Sequence, residues 1–193
     1  MPEDPPSIKK MKSLQGHLLV AARDLADPNF YHTVVLIAQH SEEGALGLVL
    51  NRRSKVAVSQ VWNQISGGTC DVERPLYLGG PCPGPLIAVH GRPFLGDEEI
   101  VPGVFYGADK EHLEQLINDE ENQVKFFAGY SGWGAGQLES EFESGSWLTL
   151  AATPEHVFGD EESLWETVVK EIGRTQLISA LGLKHVPEDP SLN

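Results

Sequence analysis

Positive charge is scarce in this sequence. Twenty-eight acids stand against 14 lysines and arginines, for a net charge of −14 at pH 7. Duplex DNA is repelled by such a field unless a local basic patch overcomes it. Two short patches occur, Lys9-Lys10-Lys12 and Arg52-Arg53-Lys55, and neither has the density of a nucleic-acid face. They read as solvated surface charge, so direct nucleic-acid binding is disfavoured.

Cysteine is nearly absent as well. Cys70 and Cys82 stand twelve apart, which is neither a CxxC redox pair nor a zinc framework, and two free thiols are expected. No apolar run approaches the roughly 18 residues of a membrane span. The N-terminal MPEDPPSIKKMKSLQ has no apolar signal core. Together these absences point to a cytoplasmic chain without a membrane partner. Residues 1–13 are expected to form a flexible arm and residues 14–193 a single domain. A chain of 193 residues, 40% hydrophobic and 22% charged, buries a sufficient core without staples.

Metal and phosphate motifs are missing too. The seven histidines, at 17, 32, 40, 90, 112, 156 and 185, show no HxxxH or HxH spacing. GWGAG at 132–136 is neither GxGxxG nor a P-loop, and no lysine or arginine lies between Gly129 and Ser144. Glu139 and Glu141 satisfy the start of the following helix and would repel an added anion. Ser131 follows a strand like a nucleophile elbow, but Trp133 stands where G-x-S-x-G needs its second glycine. No catalytic residue, metal or cofactor is assigned.

The stretch around which the chain is organised is 125–148, KFFAGYSGWGAGQLESEFESGSWL. Lys125 to Ala128 reads as a strand entering a glycine-rich loop, 129–136, in which Tyr130 and Trp133 are set. A helix follows from about Gln137 to Ser144, with Leu138 and Phe142 on one face. Gly145 stops it, and Ser146 to Ala152 returns as a strand.

Elsewhere, Gly16 to Ala22 reads as a strand and Asp24 to Phe30 as a turn region. Thr33 to Gln39 and Leu46 to Asn51 are strands joined by the hairpin turn 41–44. Val58, Val61, Trp62 and Ile65 share a helical face, ended by Gly67-Gly68. Leu76 to Leu78 and Leu86 to His90 are short strands flanking GGPCPGP, a rigid turn in which Gly79, Gly80 and Pro81 shape the backbone. Asp109 caps a helix over 110–121. Asp160 caps another over 161–172, stopped by Gly173, with further helical turns through Thr175 to Leu181. The tail HVPEDPSLN is expected to run extended along the surface. Hairpin signals and the lack of βαβ alternation predict an α+β fold with a mainly antiparallel, curled sheet.

Five segments, GHLLVAARDLADPNF, TVVLIAQHSEEGALGLVLNR, LGGP at 78–81, GYSGWGAGQLESE and the closing DPSLN, closely resemble the signatures of the AlgH/YqgE family. The resemblance implies a single domain built on a bifurcated β-sheet that closes into a pseudo-barrel with peripheral helices. Members carry the label of transcriptional regulator, and no established enzymatic activity comes with the resemblance. Relatives usually carry an aliphatic residue where Cys82 stands, so Cys82 is not a candidate for family chemistry.

The expected function is a non-enzymatic regulatory or interaction protein acting through a protein or small-molecule partner. Its candidate binding residues are His40, Asn51, Gly79, Gly80, Pro81, Tyr130, Trp133, Gln137 and Glu139. His40 has acidic neighbours at the hairpin tip that could raise its pKa or share a metal, though a backbone-bonded turn histidine is the simpler reading. Trp133 and Trp147 read as core, and Gln137 and Glu139 as exposed groups. The alternative is an enzyme of unknown reaction, or a small-ligand sensor, built from His40, Asn51, Gln137 and Glu139 around the glycine-rich loop.

Overall fold

The computed structural model describes residues 12–181 except 23, 24 and 26. Most of the N-terminal arm, part of the expected turn at 24–30 and the tail HVPEDPSLN lie outside the described residues.

The alternation of side chains along each strand explains the architecture. Strand β1 (His17–Ala21) sends Leu18 and Val20 to one side and Leu19 and Ala21 to the other. Strand β2 (Val34–Ser41) repeats this, and Val34 to Ala38 are all fully buried. Both faces are covered, as an unbroken β-branched and aliphatic run requires.

Eight further strands complete the sheet: β3 (Gly44–Val49), β4 (Arg53–Ala57), β5 (Pro75–Leu78), β6 (Cys82–His90), β7 (Glu98–Val101), β8 (Val104–Gly107), β9 (Val124–Gly134) and β10 (Trp147–Ala151). Their order is β10-β1-β2-β3-β9-β6-β8-β7, with β5 also on β9 and β4 on β5. All pairings are antiparallel except β5 with β9.

Strand β9 is where the sheet forks. Its first half pairs with β5 at Leu76↔Phe126 to Leu78↔Ala128. Its second half pairs with β3, from Gly47↔Ser131 to Gly44↔Gly134. The result is a curled half-barrel in one domain.

Three apolar clusters follow. One fills the concave side, including Leu18, Val20, Leu36, Leu48, Tyr77 and Phe127. It is closed by Val157 of α4 (Pro154–Phe158) and by Leu164, Val168 and Ile172 of α5 (Leu164–Leu181). A second lies outside β1–β3 beneath Leu138 of α3 (Gln137–Glu143), with Trp133 and Trp147. The third, around Phe126, is covered by Trp62 of α1 (Val58–Ser66) and by Leu113, Leu116 and Ile117 of α2 (Lys110–Asn118). Phe126 and Phe127 therefore face opposite sides of the sheet and anchor different clusters.

Three expectations are corrected. The glycines at 129–134 do not make a loop, because β9 runs through them. Gly129 allows close approach of the Cys82 backbone, and Gly132 leaves room beside the Tyr130 ring. Likewise GGPCPGP is not wholly a turn, since β6 begins at Cys82, opposite Tyr130. Gly173 does not stop α5, which continues to Leu181; it sits at an open surface where a helical glycine costs only about 1 kcal/mol.

Candidate functional site

The tip of the β2–β3 hairpin, the start of β6, the second half of β9 and the edge strand β7 surround a groove of about 670 Å³. That volume is in the range of small-molecule sites. Tyr130, Gly132 and Trp133 from β9 and Cys82 from β6 form one part of its lining. Gln39 to Ser41 and Glu43 to Leu46 form the hairpin wall, with Gln15 and Glu98 opposite.

Glu98 closes the half-barrel where no ladder does. Its Oε1 accepts from Gln15 Nε2 at 2.6 Å, and its Oε2 accepts from Gln39 Nε2 at 3.1 Å and from the Tyr106 hydroxyl at 3.3 Å. The Gln39 bond, with those from Gln15 and Tyr106, holds the carboxyl below its ordinary range. Burial, reinforced by the Glu98 charge, pushes the Tyr106 hydroxyl up to about 12. Sequence reasoning passed over Glu98. The signal was there in EEIVPGVFYG, two short apolar runs about a Pro-Gly turn; what could not be seen was which strand this hairpin would face.

His40 is the most constrained of the expected site residues. Its Nδ1 accepts from the Leu14 backbone N–H at 2.8 Å, so that nitrogen carries no proton. The proton is therefore on Nε2, which donates to Glu139 Oε1 at 2.9 Å. The side chain is only 4% exposed. His40 thus ties the first described segment, the hairpin and α3 together, and neither ring nitrogen is open to a ligand.

Beneath the groove, Glu141 Oε2 accepts from both Trp133 Nε1 and Trp147 Nε1, each at 2.9 Å. Its Oε1 accepts from Gln137 Nε2 at 3.0 Å. Gln137 Oε1 in turn accepts from the Gly134 N–H at 3.1 Å, tying the start of α3 to the end of β9. Phe30 stacks on Trp133 and meets Trp147 edge-on. Both tryptophans are buried, and one carboxylate satisfies both indoles.

The remaining expected residues are placed apart from the groove wall. Asn51 Oδ1 accepts from the Val34 N–H, and its Nδ2 donates to the His32 carbonyl. That is the opposite end of the hairpin from His40, six residues along β2 or roughly 20 Å. His40 and Glu139 therefore meet, Gln137 lies beside them on α3, and Asn51 does not join them.

Gly79 and Gly80 sit in the fork. A Cβ on Gly79 would collide with the Gly129 carbonyl oxygen, and one on Gly80 with the backbone of Tyr130 and Ser131. Gly79 bridges the arms of the fork through its N–H to Ala128 and its carbonyl from Val49. Pro81 is exposed and leads directly into Cys82 at the groove. Ser131 is fully buried and donates to the Gly79 carbonyl at 3.1 Å.

Lys125 and His90 are buried ionisable groups that lie elsewhere. Lys125 is 5% exposed, stands 4.8 Å over the Tyr77 ring and reaches the Leu50 carbonyl at 3.4 Å. Burial lowers its pKa, opposed by Glu161 and Asp160. His90 is fully buried, and its pKa is pushed down to about 4, mainly by that burial. Both cysteines are free thiols.

A family model described as AlgH-like matches residues 18–176. A UPF0301 protein of Chlorobaculum tepidum is 42% identical over 185 residues, covering 92% of this chain and 95% of that one. A UPF0301 protein of Myxococcus xanthus is 37% identical, over 89% of this chain and 98% of the other. In three dimensions the chain is similar to the solution structure of the AlgH protein from Pseudomonas aeruginosa, with TM-score 0.66, 26% identity and coverage of 98% and 100%. It is also similar to a crystal structure of a Corynebacterium diphtheriae protein, with TM-score 0.63, 27% identity and coverage of 89% and 90%.

Proposed function

The chain belongs to the AlgH-like family, and from that premise we propose that it is a cytoplasmic, non-enzymatic regulatory protein that binds a small molecule in the groove at the β2–β3 hairpin tip. The observation that carries this reading is the groove itself, an open volume whose polar walls are held by bonds within the protein. Both nitrogens of His40 and both oxygens of Glu98 are already bonded within the protein. With neither ring nitrogen free, His40 has no atom to offer a substrate as a general base. A binding groove needs open volume and fixed polar groups, and this one has both.

Regulation would then pass through ligand or protein contacts rather than through a grip on DNA, in keeping with the −14 net charge. Among the described residues no helix is long and apolar enough to cross a membrane.

Native mass spectrometry of gently purified protein tests the reading. The expected result is a bound mass that is lost on denaturation and reduced in Tyr130→Leu. An apo mass, together with no groove resonance moved by any member of a metabolite panel in ¹H–¹⁵N spectra, would overturn it. A DNA shift at low salt, where electrostatic binding is strongest, would overturn the indirect mode of regulation.

A further inference from the structure

We infer that the groove selects a small organic cation, an ammonium or guanidinium head group on a short apolar stem; the inference rests on the groove being a ligand site. Among the described residues its lining contains Glu43 and Glu98 and neither lysine nor arginine. The decisive feature is how Glu98 is held. All its donors, Gln15, Gln39 and Tyr106, are neutral. They fix the carboxylate in place and leave its charge without a counter-ion among the described residues, with lone-pair capacity to spare. A carboxylate already paired with arginine would offer a ligand far less.

The surroundings repeat the pattern. Behind the hairpin wall, Glu139 takes its proton donor from the Nε2–H of His40. Beneath Trp133, Glu141 is held by two indoles and an amide. Each carboxylate is oriented by neutral N–H groups, so the negative potential of the site is built in rather than cancelled. Anions are repelled from such a groove.

An aromatic platform completes it. A Cβ on Gly84 would stand 2.9 Å from Tyr130 Cδ1, and one on Gly132 would stand 3.1 Å from Tyr130 Cε2. The absence of side chains at these two positions leaves the half-buried Tyr130 ring uncovered inside the groove. A half-buried ring lining the same groove as these carboxylates is an environment that attracts ammonium and guanidinium groups. The volume, about 670 Å³, suits an organic molecule and far exceeds a metal ion.

The test is titration of the full-length protein with agmatine at about 150 mM salt, where loose surface attraction is screened, followed by calorimetry and ¹H–¹⁵N spectra. The expected result is saturable binding with shifts at residues 39–45 and 130–133. Tyr130→Leu should weaken it about 2- to 30-fold, the span of cation–π energies, and Glu43→Gln should also weaken it. Glu98→Gln is informative if it folds; the other two variants leave the seam untouched and stand in for it otherwise. Tighter binding of acetyl-Gly-Arg-Gly-amide than of agmatine would place the same head group on a peptide, and weaker binding would place it on a metabolite; either supports the cation site. Groove binding by N-butylacetamide or glutarate in preference to agmatine overturns the cation class and leaves the ligand site standing. Silence of the groove toward all of these probes overturns both readings. Agmatine binding undiminished in Tyr130→Leu and Glu43→Gln is adventitious and overturns the inference.

Discussion

Ser131 donates its buried hydroxyl to the carbonyl of Gly79 at 3.1 Å, fastening the LGGP turn to the strand that carries GYSGWG. Two glycine-rich segments fifty residues apart are thus two halves of one joint. The joint is where the sheet forks.

Substitution at this joint should follow the packing. Gly79→Ala forces a Cβ into the Gly129 carbonyl and against Leu48, and overpacking of this kind costs about 1–3 kcal/mol or more. Ser131→Ala removes one hydrogen bond, but Gly79 O keeps its bond from the Val49 N–H, so the loss should be about 1 kcal/mol. Urea unfolding midpoints measure both. A Gly79→Ala midpoint above that of Ser131→Ala would refute the fork as described.

The carboxylate shared by two tryptophans makes a second prediction. Glu141→Ala leaves the buried Trp133 and Trp147 indole N–H groups without their acceptor, at about 1–3 kcal/mol for each unsatisfied donor. Glu141→Gln keeps an acceptor oxygen and should cost less. The near-ultraviolet circular dichroism of the Phe30–Trp133–Trp147 cluster should collapse in the alanine variant and largely persist in the glutamine one. Equal spectra in the two variants would contradict the shared-acceptor geometry.

His40 should be a fixed tautomer. Long-range ¹H–¹⁵N correlation is expected to show Nδ1 unprotonated and Nε2 protonated, because the Leu14 N–H occupies Nδ1. His40→Ala should speed hydrogen exchange at Leu14, which loses its acceptor. An Nδ1–H tautomer would reverse the donor assignment toward Glu139.

The pH dependence has two components of the same sign in separate pH windows. Glu98 has a depressed folded pKa, so the stability it contributes is present above the ordinary carboxylate value and lost as pH falls through the lower folded value. Acid titration of unfolding should show this component in the wild type and lack it in Glu98→Gln.

Lys125 acts in the same direction at higher pH, as a penalty relieved rather than a contribution gained. Its folded pKa is lowered by burial, so the unfolded chain binds its proton more readily, and stability should rise as pH climbs toward the ordinary lysine value. Lys125→Met should abolish that rise. It should also stabilise the protein near neutral pH by about 1–3 kcal/mol, because an ammonium with no direct ion pair among the described residues is exchanged for an apolar chain of similar length. Loss of stability in this variant would show that the Tyr77 and Leu50 contacts outweigh desolvation.

The sequence alone determined the elements whose signals are local. The β2–β3 hairpin follows from an apolar run, a polar turn at 41–44 and a second apolar run. Helix α2 follows from Asp109, which accepts from the Glu111 and His112 N–H groups, and from the stripe Leu113, Leu116 and Ile117. Motif resemblance added the bifurcated, curled sheet, which the structure shows.

Only the tertiary structure decided what Gly79, Gly80 and Gly129 are for, because their constraint is imposed by a segment about fifty residues away. A local reading sees loops there; the structure has a strand and a joint. The groove was likewise beyond sequence reasoning. Tyr130, His40 and Glu98 carry no periodicity relating them, and they meet because β3 and β6 flank the same strand while Glu98 bridges the seam to Gln15 and Gln39. Local structure is written in neighbouring residues, but a site closed across a sheet is written in pairings that only the folded chain supplies.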